Sequence, residues 1–79
     1  MNDTLPIIKK IISENFGTSE DQITVKSNFY YDLNLSEIET SDLINLCVEK
    51  FNLILPDDYD TDQIQTVEDL ENLIEVYGD

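Results

Sequence analysis

The chain has 79 residues, of which 41% are hydrophobic, and its formal net charge at pH 7 is −14. This length predicts one small domain, residues 1–79, with a thin hydrophobic core. Eighteen acidic residues against four lysines exclude nucleic acid as a partner, because such a surface repels polyanions, and they favour basic protein surfaces. The hydrophobic content is too high and too periodic for a disordered acidic segment.

The sequence also bears on the compartment. No stretch is long and apolar enough to predict a membrane span. Lys9 and Lys10 interrupt the first apolar run, so we expect no secretory signal segment. Cys47 is the only cysteine, which excludes an internal disulfide and fits a reducing compartment. We therefore expect a cytoplasmic, monomeric protein.

The first helix is predicted over residues 4–16, where apolar residues recur at helical spacing. Asp3 and Thr4 offer N-cap oxygens, Pro6 is tolerated in a first turn, and Gly17 ends the helix. The apolar stripe consists of Leu5, Ile8, Ile12 and Phe16, widened by Ile7 and Ile11. For the polar segment 18–28 that follows, we expect about one turn of helix.

The second helix is predicted to begin at Ser36, because Glu39 follows at the capping-box spacing. Its apolar stripe consists of Ile38, Leu43, Leu46, Cys47 and Val48 and runs to Phe51. The spacing predicts that one face of this helix packs into the core. The residues expected to meet there are Leu43, Leu46 and Cys47 with Ile8, Ile12, Leu70 and Leu73.

Pro56 breaks the chain after the second helix, and residues 57–65 have room for one short helical turn. Thr66 and Asp69 then cap the last helix. Its stripe consists of Val67, Leu70, Leu73, Ile74 and Tyr77, and Gly78 ends it. The predicted fold is therefore all-α, with three long helices, one short helix before the last, and no strands.

Enzyme chemistry has little support in the sequence. The chain contains no histidine and no arginine, and no motif assigns a nucleophile, a base and a stabilising group together. Cys47 lies in the middle of an apolar stripe, which is typical of a small buried hydrophobe and not of a nucleophile. We therefore predict that the protein is not an enzyme.

The alternating acids Asp58, Asp60 and Asp62 resemble a calcium-binding loop, with Asp69 at the twelfth position. Gln63, however, occupies the sixth position, where that loop requires glycine for its turn. We therefore predict no dedicated metal site. Diffuse cation binding and an ordinary solvated turn at a helix start are the two interpretations of these acids.

The order of the elements and four short motifs resemble the acyl carrier protein family from Lys9 to Gly78. Lys9-Lys10-Ile11-Ile12 with Gly17 resembles the family's first helix and its end, and Phe29, Asp32 and Leu33 match its F-x-x-D-L run. Phe51, Ile54, Pro56 and Asp57 resemble its F-x-x-x-I-P-D segment, with Leu55 at the isoleucine position, and Ile64, Thr66 and Val67 resemble its I-x-T-V. The resemblance implies a four-helix bundle with one short helix.

The chain departs from the family where the family carries its 4′-phosphopantetheine arm. That arm is attached to the serine of a D-S-L motif, and the aligned residues here are Ser36-Glu37-Ile38. Glu37 occupies the serine position, and a carboxylate cannot form the phosphodiester that the arm needs. Asn34 also replaces the usual glycine.

Ser36 has two interpretations. In the first, the loop shifts slightly and a phosphopantetheinyl transferase attaches the arm to Ser36, about 100° round the helix from the expected serine. In the second, Ser36 is only the N-cap of the second helix, with Glu39 completing the capping box. The spacing of the box favours the second interpretation.

In the family, the second helix presents an apolar stripe surrounded by acids to partner enzymes. The corresponding residues here are Ile38, Ser41 and Asn45, of which two are polar. The acids persist at Asp32, Glu37, Glu39, Asp42 and Glu49. We expect this face of the second helix to bind a basic partner surface. The alternative is that it is an ordinary solvated surface with no partner.

The resemblance implies a carrier module that docks on basic surfaces of acyl- or aminoacyl-handling enzymes, as in fatty acid or polyketide biosynthesis. In that interpretation the protein carries an acyl group on a 4′-phosphopantetheine arm at Ser36. The alternative is an unmodified paralogue that acts as a regulatory or structural interaction protein. A third, weaker interpretation is an acidic domain that binds cations.

Overall fold

The computed structural model describes residues 4–78 of the protein. In this range it contains three α-helices, which are Thr4–Phe16 (α1), Glu37–Lys50 (α2) and Val67–Tyr77 (α3). No β-strand occurs between residues 4 and 78, where one isolated antiparallel bridge joins Asn28 to Thr66. The prediction of an all-α fold is confirmed. None of the helices described has both the length and the apolar character that a membrane span requires.

The helix ends follow from local sequence. Gly17 has a φ of 76° and donates its N–H to the Ser13 carbonyl at 3.1 Å, so it ends α1 in a left-handed conformation that glycine adopts without strain. At the start of α3, Thr66 Oγ1 accepts from the Asp69 N–H at 3.1 Å and Asp69 Oδ2 accepts from the Thr66 N–H at 3.1 Å. Thr4 lies within α1, and the predicted cap Asp3 lies outside the described residues.

The expected short helix before α3 is only a three-residue 3₁₀ turn, Thr61–Gln63. Asp60 caps this turn, because its Oδ1 accepts from the Asp62 N–H at 3.0 Å. Tyr59 is the only large apolar residue between Pro56 and Ile64. The segment therefore has no apolar stripe with which to stabilise a helix.

The long connection between α1 and α2 contains one 3₁₀ turn, Glu20–Gln22, as the sequence predicts. Its second half is bound to the start of α3 by backbone hydrogen bonds. Phe29 donates to the Gln65 carbonyl at 2.9 Å, and Val67 donates to the Ser27 carbonyl at 3.0 Å. Because the Phe29 side chain is also fully buried, the segment before α2 is held against the body of the fold.

One hydrophobic core joins the three helices and this connection, and α1 contacts both α2 and α3. The core contains apolar residues of the three helices, most of them predicted, and apolar residues of the connecting segments. Its buried apolar residues are Ile8, Ile12, Ile23, Phe29, Leu33, Leu35, Leu43, Ile44, Cys47, Leu53, Ile64, Val67, Leu70, Leu73 and Ile74.

The position of Leu46 differs from the prediction. The buried residues of α2 are Thr40, Leu43, Ile44 and Cys47, so the buried face is centred between Leu43 and Ile44. At about 100° per residue, Leu46 lies roughly 110° from that centre, and its side chain is only partly buried. Ile44, which the apolar stripe did not include, is in the core instead.

Candidate interaction surface at the start of α2

The turn before α2 is held by short-range hydrogen bonds. Asn28 Oδ1 accepts from the N–H groups of Tyr30 and Tyr31 at 2.8 and 3.0 Å, and Asp32 Oδ2 accepts from the Asn28 N–H at 2.7 Å. Asn34 has a φ of 57°. Asparagine tolerates this left-handed conformation better than other residues with a side chain, so it is a chemically reasonable substitute for glycine there.

Ser36 is the N-cap of α2. Its Oγ accepts from the Glu39 N–H at 3.0 Å, and Glu39 Oε1 accepts from the Ser36 N–H at 2.9 Å. Both bonds of the capping box that the sequence predicts are therefore present. A serine cap contributes about 1 kcal/mol to stability, so the hydroxyl has a structural role that does not depend on any modification.

Only one of the two residues considered for a phosphopantetheine arm has a hydroxyl. Glu37, which aligns with the serine of the resembled motif, offers none. Ser36 has a hydroxyl, but it lies one residue earlier, at the N-cap of α2. A helix N-terminus favours a phosphodiester, so the mismatch is one of position and not of charge.

The predicted recognition residues lie on the surface, although not all are free to bind a partner. All except Glu39 are exposed, namely Asp32, Glu37, Ile38, Ser41, Asp42, Asn45 and Glu49. The Ile38 side chain is 75% exposed on the side of α2 opposite the core. The carboxylates of Asp32 and Glu39 accept backbone hydrogen bonds, whereas the side chains of Glu37, Asp42 and Glu49 make no hydrogen bond or ion pair with residues 4–78.

A groove of about 450 Å³ lies between the end of α1 and α2, and we call it the α1–α2 groove. Its lining residues are Asn15, Phe16, Asp42, Asn45, Leu46 and Glu49. Leu46 and Phe16 give it apolar surface beside the carboxylates of Asp42 and Glu49. The sequence prediction missed this groove, because it assigned Leu46 to the core.

A second groove, of about 370 Å³, lies between the start of α2 and the Thr61–Gln63 turn, and we call it the α2 N-terminal groove. Its lining residues are Tyr30, Glu37, Ile38, Thr40, Ser41, Ile44, Thr61 and Asp62. Thr40 is 2% exposed, and its Oγ1 has no hydrogen-bond partner among residues 4–78. Thr40 could have been noticed in the sequence as a polar residue three positions before Leu43, on the same face.

The thiol is buried, and the acids of residues 4–78 form no group that could hold a metal ion. Burial raises the pKa of the Cys47 thiol to about 12, so this thiol stays protonated in the core. No three acidic or thiol side chains in the described range converge as a possible metal-binding group. Asp60, from the calcium-like pattern, caps the 3₁₀ turn through its side chain.

The resemblance to acyl carrier proteins rests on the motifs and on the order of the elements. Several residues of these motifs have an evident structural role here, because Ile12, Phe29 and Val67 are fully buried, Gly17 ends α1 and Thr66 caps α3. A comparison of the sequence with models of known protein families found no match.

Proposed function

We propose that the protein is an acyl-carrier-protein-like interaction module that works without a phosphopantetheine arm. In this proposal, a 3₁₀ turn takes the place of the family's short helix. The exposed face of α2 binds a basic surface of an enzyme that handles acyl or aminoacyl groups. One observation carries the proposal: the Ser36 hydroxyl caps α2 while Glu37 occupies the position that the arm would need.

The docking role is supported by charge and exposure. Glu37, Asp42 and Glu49 present carboxylates that make no hydrogen bond or ion pair with residues 4–78. Ile38 adds an apolar side chain that is 75% exposed. A net charge of −14 accelerates encounter with a positively charged surface, and complementary pairs then fix the orientation of the complex.

A carrier with the arm on Ser36 is the second candidate. It is favoured by the exposure of Ser36 at the first turn of α2, where a transferase could reach the hydroxyl. The capping box does not itself block the modification, because Ser36 Oγ acts in it only as an acceptor and keeps its lone pairs when it is esterified.

Neutralising two acids on α2 should weaken the complex with a partner. The partner is first recovered by crosslinking in the native cells, and its affinity is then measured with purified proteins at about 100 mM salt. For the double variant Asp42→Asn/Glu49→Gln, we expect the affinity to fall on the order of tenfold, mainly through slower association.

The matched control is Asp57→Asn/Glu75→Gln, which removes the same charge from exposed acids outside α2. We expect this control to lose less than about threefold, because only the general attraction is reduced. Equal losses in the two variants would show that the charge acts diffusely and that α2 is not the docking face.

A further inference from the structure

We propose that a groove between the segment 59–64 and α3 binds the trimethylammonium group of a small quaternary ammonium compound. We call it the Tyr59–Tyr77 groove, and its volume of about 320 Å³ is within the range of small-molecule sites. Its walls include Tyr59, Ile64, Asp69, Leu73, Val76 and Tyr77. None of these residues belongs to α2, so the inference goes beyond the proposed docking function and does not depend on it.

Two tyrosine rings form a corner in this groove. The ring centroids of Tyr59 and Tyr77 are 5.7 Å apart, and the ring planes are inclined at 76° to each other. Because the planes are nearly perpendicular, a face of each ring borders the same space, and a cation in that corner lies within about 6 Å of both centroids. At this distance the electron-rich faces of aromatic rings attract cations.

The groove also has a negative potential. Asp69 Oδ2 accepts from the N–H groups of Gln65 and Thr66 at 3.0 and 3.1 Å, which fixes the carboxylate in place, and Asp69 makes no ion pair within residues 4–78. Partial burial raises the pKa of the Tyr59 hydroxyl, and the charges of Asp60 and Asp69 raise it further, so both carboxylates act on the corner. No lysine lines the groove among residues 4–78, and an entering cation therefore meets no opposing charge.

A quaternary ammonium fits this corner better than other cations. Its methyl groups carry diffuse charge and it has no N–H donor, so it binds aromatic and aliphatic walls without losing hydrogen bonds. Leu73 and Ile64 supply buried apolar surface to the groove, and Val76 adds a side chain that is 71% exposed. A primary ammonium or a metal ion would instead have to exchange tightly bound water for oxygen ligands.

The charge of the protein favours a free cation over a zwitterionic headgroup. A net charge of −14 concentrates small cations at the surface. In a phosphocholine group, a phosphate lies close to the trimethylammonium, and Asp60 and Asp69 would repel it. The expected ligand is therefore choline-like, with a trimethylammonium on a short neutral chain.

The first test is an NMR titration of the full chain with choline at constant ionic strength. The comparison probes are phosphocholine, N-acetyl-trimethyl-lysine amide and the neutral isostere of choline in which a carbon atom replaces the nitrogen. We expect saturable shifts at the N–H groups of Gln63, Asn72 and Val76, and nuclear Overhauser contacts from the N-methyl protons to both tyrosine rings. Choline should bind on the order of fivefold more tightly than the isostere and phosphocholine.

Equal affinity for choline and its neutral isostere, or for choline and phosphocholine, would overturn the proposal. Tighter binding of the trimethyl-lysine probe than of choline would mean that a protein side chain is the ligand, and the assignment to a free compound would be wrong.

Tyr59→Leu tests the corner itself, because it keeps apolar volume and removes one ring. We expect choline binding to weaken about threefold, whereas Tyr59→Phe keeps the ring and should retain the affinity. Asp69→Asn keeps an acceptor oxygen for the cap of α3 and should weaken binding about twofold through the lost charge. Glu20→Gln removes the same charge from the long connection and should leave binding unchanged.

The melting temperature of Tyr59→Leu separates lost binding from lost folding. Unchanged choline binding in a folded Tyr59→Leu variant would overturn the proposal. If that variant is unfolded at the temperature of the titration, the Overhauser contacts in the unchanged chain decide, and their absence at either ring would overturn it equally.

Discussion

Leu43→Ala is expected to lower the free energy of unfolding by about 3–5 kcal/mol, whereas Leu46→Ala should lower it by less than about 1.5 kcal/mol. Leu43 is fully buried in the core of α2, so its truncation leaves a cavity. Leu46 is partly exposed in the α1–α2 groove and leaves no enclosed space. Because a domain of this size is stable by only about 4–12 kcal/mol, Leu43→Ala should remove much of that stability.

Urea unfolding of the two variants beside the unchanged chain measures both effects, provided that the m-values agree. The substitutions are chemically identical and lie on the same helix, so each serves as the control for the other. A loss of several kcal/mol in Leu46→Ala, or a small loss in Leu43→Ala, would mean that α2 is rotated differently against α1 and α3.

Adding salt is expected to raise the melting temperature on the order of 10 °C between about 10 and 200 mM NaCl. The net charge is −14, and folding brings the carboxylates closer together than they are in the unfolded chain, so that they repel one another. The one ion pair among residues 4–78 joins Lys26 Nζ to Glu68 at 3.6 Å, between exposed side chains that contribute little. Millimolar Mg²⁺ should raise the melting temperature further, because divalent ions screen clustered carboxylates more effectively.

Glu71 gives this repulsion a local test. Partial burial, together with Glu68 and Glu75, raises its pKa above the usual range. A carboxyl whose pKa is higher in the folded than in the unfolded state favours folding below its folded pKa and costs stability as the pH rises through it. Glu71→Gln should therefore raise the melting temperature at pH 7, and more so at low salt.

The control for that variant is Glu20→Gln, an exposed acid in the long connection. It removes the same charge and should change the melting temperature less. A melting temperature that is indifferent to salt and to Mg²⁺ would show that the acids are too well spread to repel one another. The electrostatic argument for docking would then lose its main support.

The parts of the fold that could be predicted are those that short-range sequence determines. The Ser36–Glu39 and Thr66–Asp69 boxes lie three residues apart, and Gly17 ends α1 through its own backbone conformation. These features need no knowledge of the rest of the chain. The end of α1 and the starts of α2 and α3 follow from such local signals.

The rotation of α2 could not be predicted, because its apolar stripe is wide and weak. Which of Leu46 and Ile44 enters the core depends on how α1 and α3 pack against α2, and the sequence of α2 alone does not contain that information.

The α2 N-terminal groove was missed for a similar reason. Thr40 and Asp62 are 22 positions apart in the sequence, and only tertiary packing brings them to one groove.

The most direct test of the account is the intact mass of the protein isolated from its native cells, before and after incubation with coenzyme A and a broad-specificity phosphopantetheinyl transferase. An authentic acyl carrier protein in the same reaction is the positive control. We predict the mass of the unmodified chain in both samples, because Glu37 cannot accept the arm and the Ser36 hydroxyl lies one residue away from the position that the transferase recognises. An added phosphopantetheine would contradict the account, and peptide mapping of it to Ser36 would establish the carrier interpretation instead.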